Sequence, residues 1–193
     1  MAYKTRLTLM ARLKNSGDEK SWDEFHEVYR RFIYSIIRSM HIEAHLIDDL
    51  IQDVLLSVWK ALPGFEYKPS KGRFSSWLAT ITINTVKSNQ LKRSRQGARD
   101  HKASERQDEF DVGDLNQLID REWAAFLTET AWESVSKELS ISMKQCFEGV
   151  MSGKKIRDIA DEMGLPENTV SVYKKSVSVI MRREIHRLEE ELN

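Results

Sequence analysis

The chain has 193 residues with 30 Lys+Arg against 30 Asp+Glu, and a net charge of zero excludes a histone-like or polybasic DNA-coating protein. Apolar residues make up 40% and charged residues 31%, the composition of a globular chain able to bury a core in one or two domains. A single cysteine, Cys146, excludes an internal disulfide framework; no apolar run approaches the roughly 18 residues that cross a bilayer, and the charged start MAYKTRLTLMARLKNSGDEK is unlike a signal peptide, so a cytoplasmic location without membrane insertion is expected.

Helical periodicity dominates, and no alternating run is bounded by hairpin turns, so the fold class is all-α. The pattern predicts helices over 21–40, 43–61, 74–95, 115–134, 140–151, 155–163 and 167–192. In the second, Leu46, Ile47, Leu50, Ile51, Val54 and Val58 share one face, the expected buried one. Asp48, Asp49, Gln52, Asp53, Leu56 and Trp59 share the other. A leucine and a tryptophan among carboxylates have the composition of an interface, although Trp59 folded onto a neighbouring helix as core is the alternative. Leu62-Pro63-Gly64 stops this helix, and a breaker-rich loop follows.

In the third helix Ser76, Thr80, Asn84, Lys87 and Leu91 form a polar ridge, Trp77, Leu78 and Ile81 turn toward a core, and Lys92, Arg93 and Arg95 close the segment. Upstream, Phe65, Tyr67 and Phe74 bracket Lys68, Lys71 and Arg73. Aromatics, small polar groups and cations together suit stacking, hydrogen bonding and phosphate pairing with nucleic acid, although each aromatic taken alone reads better as core.

Zero net charge conceals segregation. Residues 1–96 hold 16 bases and 10 acids, 97–136 hold 4 and 10, and 137–193 hold 10 and 10. Within the first block, His41 to Trp59 carries four acids and no Lys or Arg, whereas Lys60 to Arg95 carries eight bases and one acid, Glu66. An acidic surface followed by a basic one suggests two different partners, with two solvated faces as the bland alternative. The acidic middle piece, poor in large apolar residues before Leu115, reads as a partly disordered linker.

The C-terminal block, KKIRDIADEMGLPENTVSVYKKSVSVIMRREIHRL, pairs an apolar stripe of Ile156, Ile159, Ala160 and Met163 with a second of Val170, Tyr173, Val177, Met181, Ile185 and Leu188. The short turn Gly164-Leu165-Pro166 between them makes a helix-turn-helix pattern. Asn168, Thr169, Ser171, Val172, Lys175, Ser178 and Arg182 form the face that would enter a major groove. A helical hairpin without a DNA role is the alternative.

No phosphate-binding glycine loop, dinucleotide fingerprint, HExxH pattern or cysteine cluster occurs, so no cofactor or metal is expected. His41 and His45, near Glu43, Asp48 and Asp49, have metal-pair spacing but fit better as solvated helix-end histidines. Cys146 fits a small core residue. The chain is not expected to be an enzyme.

Taken together, these segments resemble the bacterial sigma-70 family of transcription initiation factors, in the small extracytoplasmic function (ECF) form, over nearly the whole chain. WDEFHEVYRRFIYSIIRSM at 22–40 is similar to the opening helix of the sigma-2 domain, and IDDLIQDVLLSVWKAL at 47–62 to the family's polymerase-binding segment. The resemblance implies that Asp48, Asp49, Gln52, Asp53, Leu56 and Trp59 dock on the clamp of the β′ subunit of core RNA polymerase. FSSWLATITINTVKSNQLKRSR at 74–95 is similar to the segment that reads and melts the minus-ten element. This implies DNA contacts by Lys68, Lys71, Arg73, Phe74, Trp77, Thr80, Asn84, Lys87 and Arg93, with the loop at 64–72 capturing a flipped base. The helix-turn-helix is similar to the sigma-4 domain that reads the minus-thirty-five element and, in the family, meets the β flap. Anti-sigma factors are common partners there.

The implied architecture is two helical domains, 1–96 and 136–193, joined by a flexible, partly helical acidic linker over 97–135. FEYKPSKGRFSSWL is most like the sigma factors of planctomycetes and related bacteria. Three positions depart from the family pattern. Ile83 stands where Arg is common, Lys174 stands in the apolar stripe of the last helix, and SISMKQCFEGVMSGKKI lacks the usual Leu-Pro start. A stand-alone helix-turn-helix regulator and a helical protein adaptor are the competing functional readings.

Overall fold

The computed structural model describes residue 9 and residues 12–13, 19–65, 73–97 and 112–192. Seven α-helices occupy the described residues: α1 (Glu19–Ser39), α2 (Ile47–Ala61), α3 (Phe74–Gly97), α4 (Val112–Val135), α5 (Ile141–Met151), α6 (Ile156–Met163) and α7 (Glu167–Leu192). Short 3-10 turns at Ala44–Leu46 and Leu62–Gly64 flank α2. Among the described residues no strand occurs, and no helix is long and apolar enough to cross a membrane. The chain divides into two compact units, residues 1–126 with 191–193, and residues 127–190.

In the first unit α1, α2 and α3 pack against one another in all three pairings. The reason is periodicity. On α1, Phe25, Tyr29, Phe32, Ile33, Ile36 and Ile37 recur at helical spacing and are fully buried. The α2 stripe of Ile47, Leu50, Ile51, Val54 and Val58 meets them, and α3 contributes Phe74, Leu78, Ala79, Ile83 and Val86. Each large side chain removed from water contributes roughly 1.5–3 kcal/mol. His41 ends the α1 turn in the left-handed region at φ 57, a conformation histidine tolerates better than branched residues.

The acidic segment is helical over the stretch expected to be so, 115–134. Its described part is the helix α4, because Leu118, Ile119, Trp123, Phe126, Leu127, Ala131 and Val135 fall on one buried stripe. The half up to Phe126 belongs to the first unit, where Phe32 meets Trp123 edge-on at 5.0 Å and Phe126 at 5.9 Å. Residues 98–111 of the segment lie outside the described residues.

In the second unit Ser140 caps α5, its hydroxyl accepting from the Met143 amide at 3.3 Å. Gly164 ends α6 at φ 63, and the Leu165 amide reaches Ala160 O at 3.0 Å while the Gly164 amide reaches Asp161 O at 3.4 Å. This paired closure needs the left-handed residue that glycine supplies without steric cost. Cys146, Ile159, Ala160 and Val170 form the core, with Val150, Ile156, Met163, Leu165 and Tyr173 around it. Trp132 stacks on Phe147 at 5.3 Å. Gly149 lets α5 approach α6, since a Cβ there would stand 3.0 Å from Ile159 Cγ1. Farther along α7, Arg187 grips Glu184 through two hydrogen bonds, at 2.9 and 2.6 Å.

Candidate polymerase and promoter surfaces

Burying one stripe of α2 leaves the opposite face in solvent. Asp48, Asp49 and Gln52 are exposed, and Leu56 and Trp59 keep 54% and 51% of their surface. Trp59 is therefore no core residue of its unit. The Arg30 guanidinium on α1 pairs with Asp48 at 2.7 Å, leaving that carboxylate largely in water. Asp53 differs from the other acids: it is half-buried, and its Oδ2 accepts a hydrogen bond from Asn89 Nδ2 on α3 at 2.9 Å.

On α3, Thr80, Asn84, Lys87, Arg93 and Arg95 are all exposed, as is Leu91. Trp77 is half-buried, its ring packed at a tilt against Phe65 at 4.2 Å and Phe74 at 5.2 Å. Phe74, expected at the DNA, is instead fully buried, enclosed also by Tyr29 at 5.2 Å and Phe25 at 6.3 Å. It is the floor of this aromatic cluster, and Phe65 and Trp77 are its half-buried members. Lys68 and Lys71, with Tyr67, lie outside the described residues. Arg73 is exposed, and its guanidinium is paired with Asp120 of α4. Ile83 is core at 2% exposure, so that position offers no DNA contact.

A groove of about 410 Å³ separates α2 from α3. Its walls carry Leu56 and Lys60 on one side and Ile81, Asn84, Asn89 and Lys92 on the other. The acidic, aromatic surface and the basic ridge are thus neighbours within one unit.

In the second unit Asn168, Val172, Lys175 and Arg182 are exposed on α7, and Thr169, Ser171 and Ser178 are half-buried beside them. The spacing of Asn168, Ser171, Val172, Lys175, Ser178 and Arg182 puts these six on one face, opposite the buried Val170, Val177 and Met181, with Thr169 on its flank. Lys174, expected within the apolar stripe, is exposed: the packed set takes in Val170 and Tyr173 and leaves it out, so no snorkelling is needed. The Cys146 thiol is fully enclosed, lies 3.5 Å from Val170 O, and is pushed above its ordinary pKa by burial. Among the described residues no group of three or more His, Cys, Asp or Glu is placed to hold a metal ion.

Sequence reasoning missed Asn89 and Asp120. Each acts on a residue of another helix, and single-helix periodicity carries no signal for such a pairing.

A basic helix beside an acidic face with exposed apolar groups, together with a separate helix-turn-helix, defines a helical protein of the DNA-binding class. Residues 25–96 match the family described as Sigma-70 region 2, and residues 137–182 match that described as Bacterial regulatory proteins, luxR family. The chain is 26% identical over 156 residues to the ECF RNA polymerase sigma factor SigM of Mycobacterium tuberculosis, covering 80% of this chain and 72% of that protein. It is 29% identical over 87 residues to the RNA polymerase sigma factor NccH of Alcaligenes xylosoxydans xylosoxydans, covering 45% and 44%. A solved structure, of CnrH in complex with the cytosolic domain of CnrY, aligns with 94% of each chain at 19% identity and a TM-score of 0.37. The chain belongs to the sigma-70 family, among the ECF RNA polymerase sigma factors. It is accordingly a sigma factor that directs transcription initiation, with a helix-turn-helix for DNA.

Proposed function

We propose that the face of α2 bearing Asp48, Asp49, Gln52, Leu56 and Trp59 docks on the β′ clamp of core RNA polymerase. The observation that carries this is the pair of half-exposed anchors, Leu56 and Trp59, set among carboxylates on a helix whose other face is fully buried. Large apolar groups inside a charged rim are the composition of binding hot spots. Asp53 belongs to this face through its position but faces α3.

The ridge of α3 then takes the minus-ten strand. Thr80 and Asn84 supply hydrogen bonds, Trp77 supplies a stacking edge, and Lys87, Arg93 and Arg73 supply phosphate partners, with Lys68 and Lys71 in the adjoining loop. On α7, Asn168, Thr169, Ser171 and Val172 meet base edges of the minus-thirty-five element, while Lys175, Ser178 and Arg182 hold its backbone. Residues 1–96 act as the polymerase-binding and melting domain and 136–193 as the upstream reader, with the β flap as the second polymerase contact. The chain carries no chemistry of its own in this scheme; polymerase does. Its place of work is the cytoplasm, where an anti-sigma factor competing for the same α2 face is the natural regulator.

Transcription reconstituted from purified core polymerase, this protein and a promoter library tests the proposal. Start-site-specific transcripts are the expected result. Their absence would sink it, and binding of the free protein to duplex DNA without transcription would point to a stand-alone regulator, the reading favoured by the luxR-type match alone.

A further inference from the structure

Apolar packing of α3 stops early. Among its described side chains Val86 is the last buried one, and from Lys87 to Arg95 every residue is exposed except Asn89. That stretch nevertheless carries Lys87, Lys92, Arg93 and Arg95. What fixes it against α2 is polar. Asn89 Nδ2 donates to Asp53 Oδ2 at 2.9 Å. One turn earlier, Thr85 Oγ1 donates to Ser57 Oγ at 3.2 Å, and Ser57 Oγ donates to Asp53 O at 2.8 Å. All four residues are partly buried, so these bonds sit in a lower dielectric than surface contacts, and the one to the carboxylate is charge-assisted.

We propose that Asn89 is a positioning residue: by holding Asp53 it sets the register of the basic end of α3 on α2, and so couples the polymerase-docking helix to the helix that binds the minus-ten strand. The inference rests on the functional reading above, in which α2 meets polymerase and α3 meets DNA. Three features argue for a fixed register over incidental contact. The bond spans 36 residues and joins the two helices of different function. It sits at the wall of the groove between them, beside Asn84 and Lys92. Among the described side chains of α3, no buried apolar one follows Val86 to duplicate it.

Asn89→Ala removes the donor. In Asp53→Asn with Asn89→Asp, amide and carboxylate change places, and the bond can re-form in the opposite sense. Each variant is assembled with core polymerase and titrated with a fluorescein-labelled single strand carrying the minus-ten sequence of a promoter recovered in the transcription assay. Core affinity and thermal melting are measured on the same preparations. The expected result is that Asn89→Ala binds the strand about tenfold more weakly in holoenzyme, keeps core affinity within about twofold, and that the exchange variant recovers most of the loss. Strand binding equal to wild type overturns the proposal, as does an exchange variant no better than Asn89→Ala. A parallel fall in melting temperature, core affinity and strand affinity also overturns it, assigning Asn89 a purely structural role. If wild-type protein fails to bind core at all, it is the functional reading that fails, and the two failures are distinct.

Discussion

Asp120 of the acidic helix α4 holds the guanidinium of Arg73, the residue immediately before α3. The two are 47 residues apart in sequence and share the first unit, where Trp123 and Phe126 anchor α4 on Phe32. A cation proposed to meet promoter phosphate is thus already paired inside the chain. The pair is exposed on both sides, at 47% and 57%, which limits its worth to about 1 kcal/mol or less. Asp120→Asn should therefore raise the affinity of the free protein for single-stranded promoter DNA, by up to about fivefold, with the gain shrinking at high salt. Fluorescence anisotropy at two ionic strengths measures this, and an unchanged affinity would remove Asp120 from any masking role.

Trp59 offers a sharper test of the polymerase face. Since it is half-exposed and on the solvent side of α2, truncation removes little from the fold. Trp59→Ala should weaken core binding by about 2 kcal/mol or more, roughly thirtyfold in Kd, while the melting temperature hardly moves. Leu56→Ala should act in the same direction and more weakly. Equal core affinity for wild type and both variants would place the docking face elsewhere.

The second unit carries a pH signature. Hydrogen bonds from Arg187, with a smaller one from Ser134, hold the Glu184 carboxyl below its ordinary pKa against the opposing effect of burial. A carboxyl whose folded pKa is depressed contributes stability above its unfolded pKa, and that contribution is lost as pH falls through the folded value. Glu184→Gln should therefore melt earlier than wild type at neutral pH, and the gap should close as the solution is acidified below the ordinary carboxylate range. Thermal melts across that range decide it: a gap independent of pH would mean that shape, rather than charge, is what Glu184 contributes.

These cases also separate what periodicity can and cannot reveal. The stripes of α1 and α2, such as Leu50, Val54 and Val58, were legible because burial on a single helix repeats every 3.6 residues. Gly164-Leu165-Pro166 was legible because its residues demand a turn. The exposed face with Leu56 and Trp59 followed from the same wheel. Phe74 was misplaced because its fate depends on Tyr29 and Phe25 of another helix. Asp53 with Asn89, and Arg73 with Asp120, depend on the register of two helices, which no single-helix pattern encodes. The helical order of α4 was legible from Leu115 onward, yet its anchoring by Trp123 on Phe32 was not.

Recognition of the upstream element rests on a further electrostatic argument. Lys175 and Arg182 are exposed on α7, on the face that carries Asn168 and Val172. A cation that neutralises one phosphate releases condensed counterion, and each such contact contributes close to one unit to the slope of log Kobs against log salt on duplex DNA. Lys175→Ala and Arg182→Ala should each weaken binding of the full chain, in holoenzyme, to minus-thirty-five duplex, and each should lower that slope by about one. Asn168→Ala should behave differently, since a contact to a base edge releases no counterion: affinity falls for the cognate sequence, the slope stays, and discrimination against mismatched sites narrows. A titration series across salt concentrations, run on cognate and scrambled duplexes, separates the two roles. Should the cation variants leave the slope unchanged, the DNA-facing surface of the second unit would have to lie on a different side of α7.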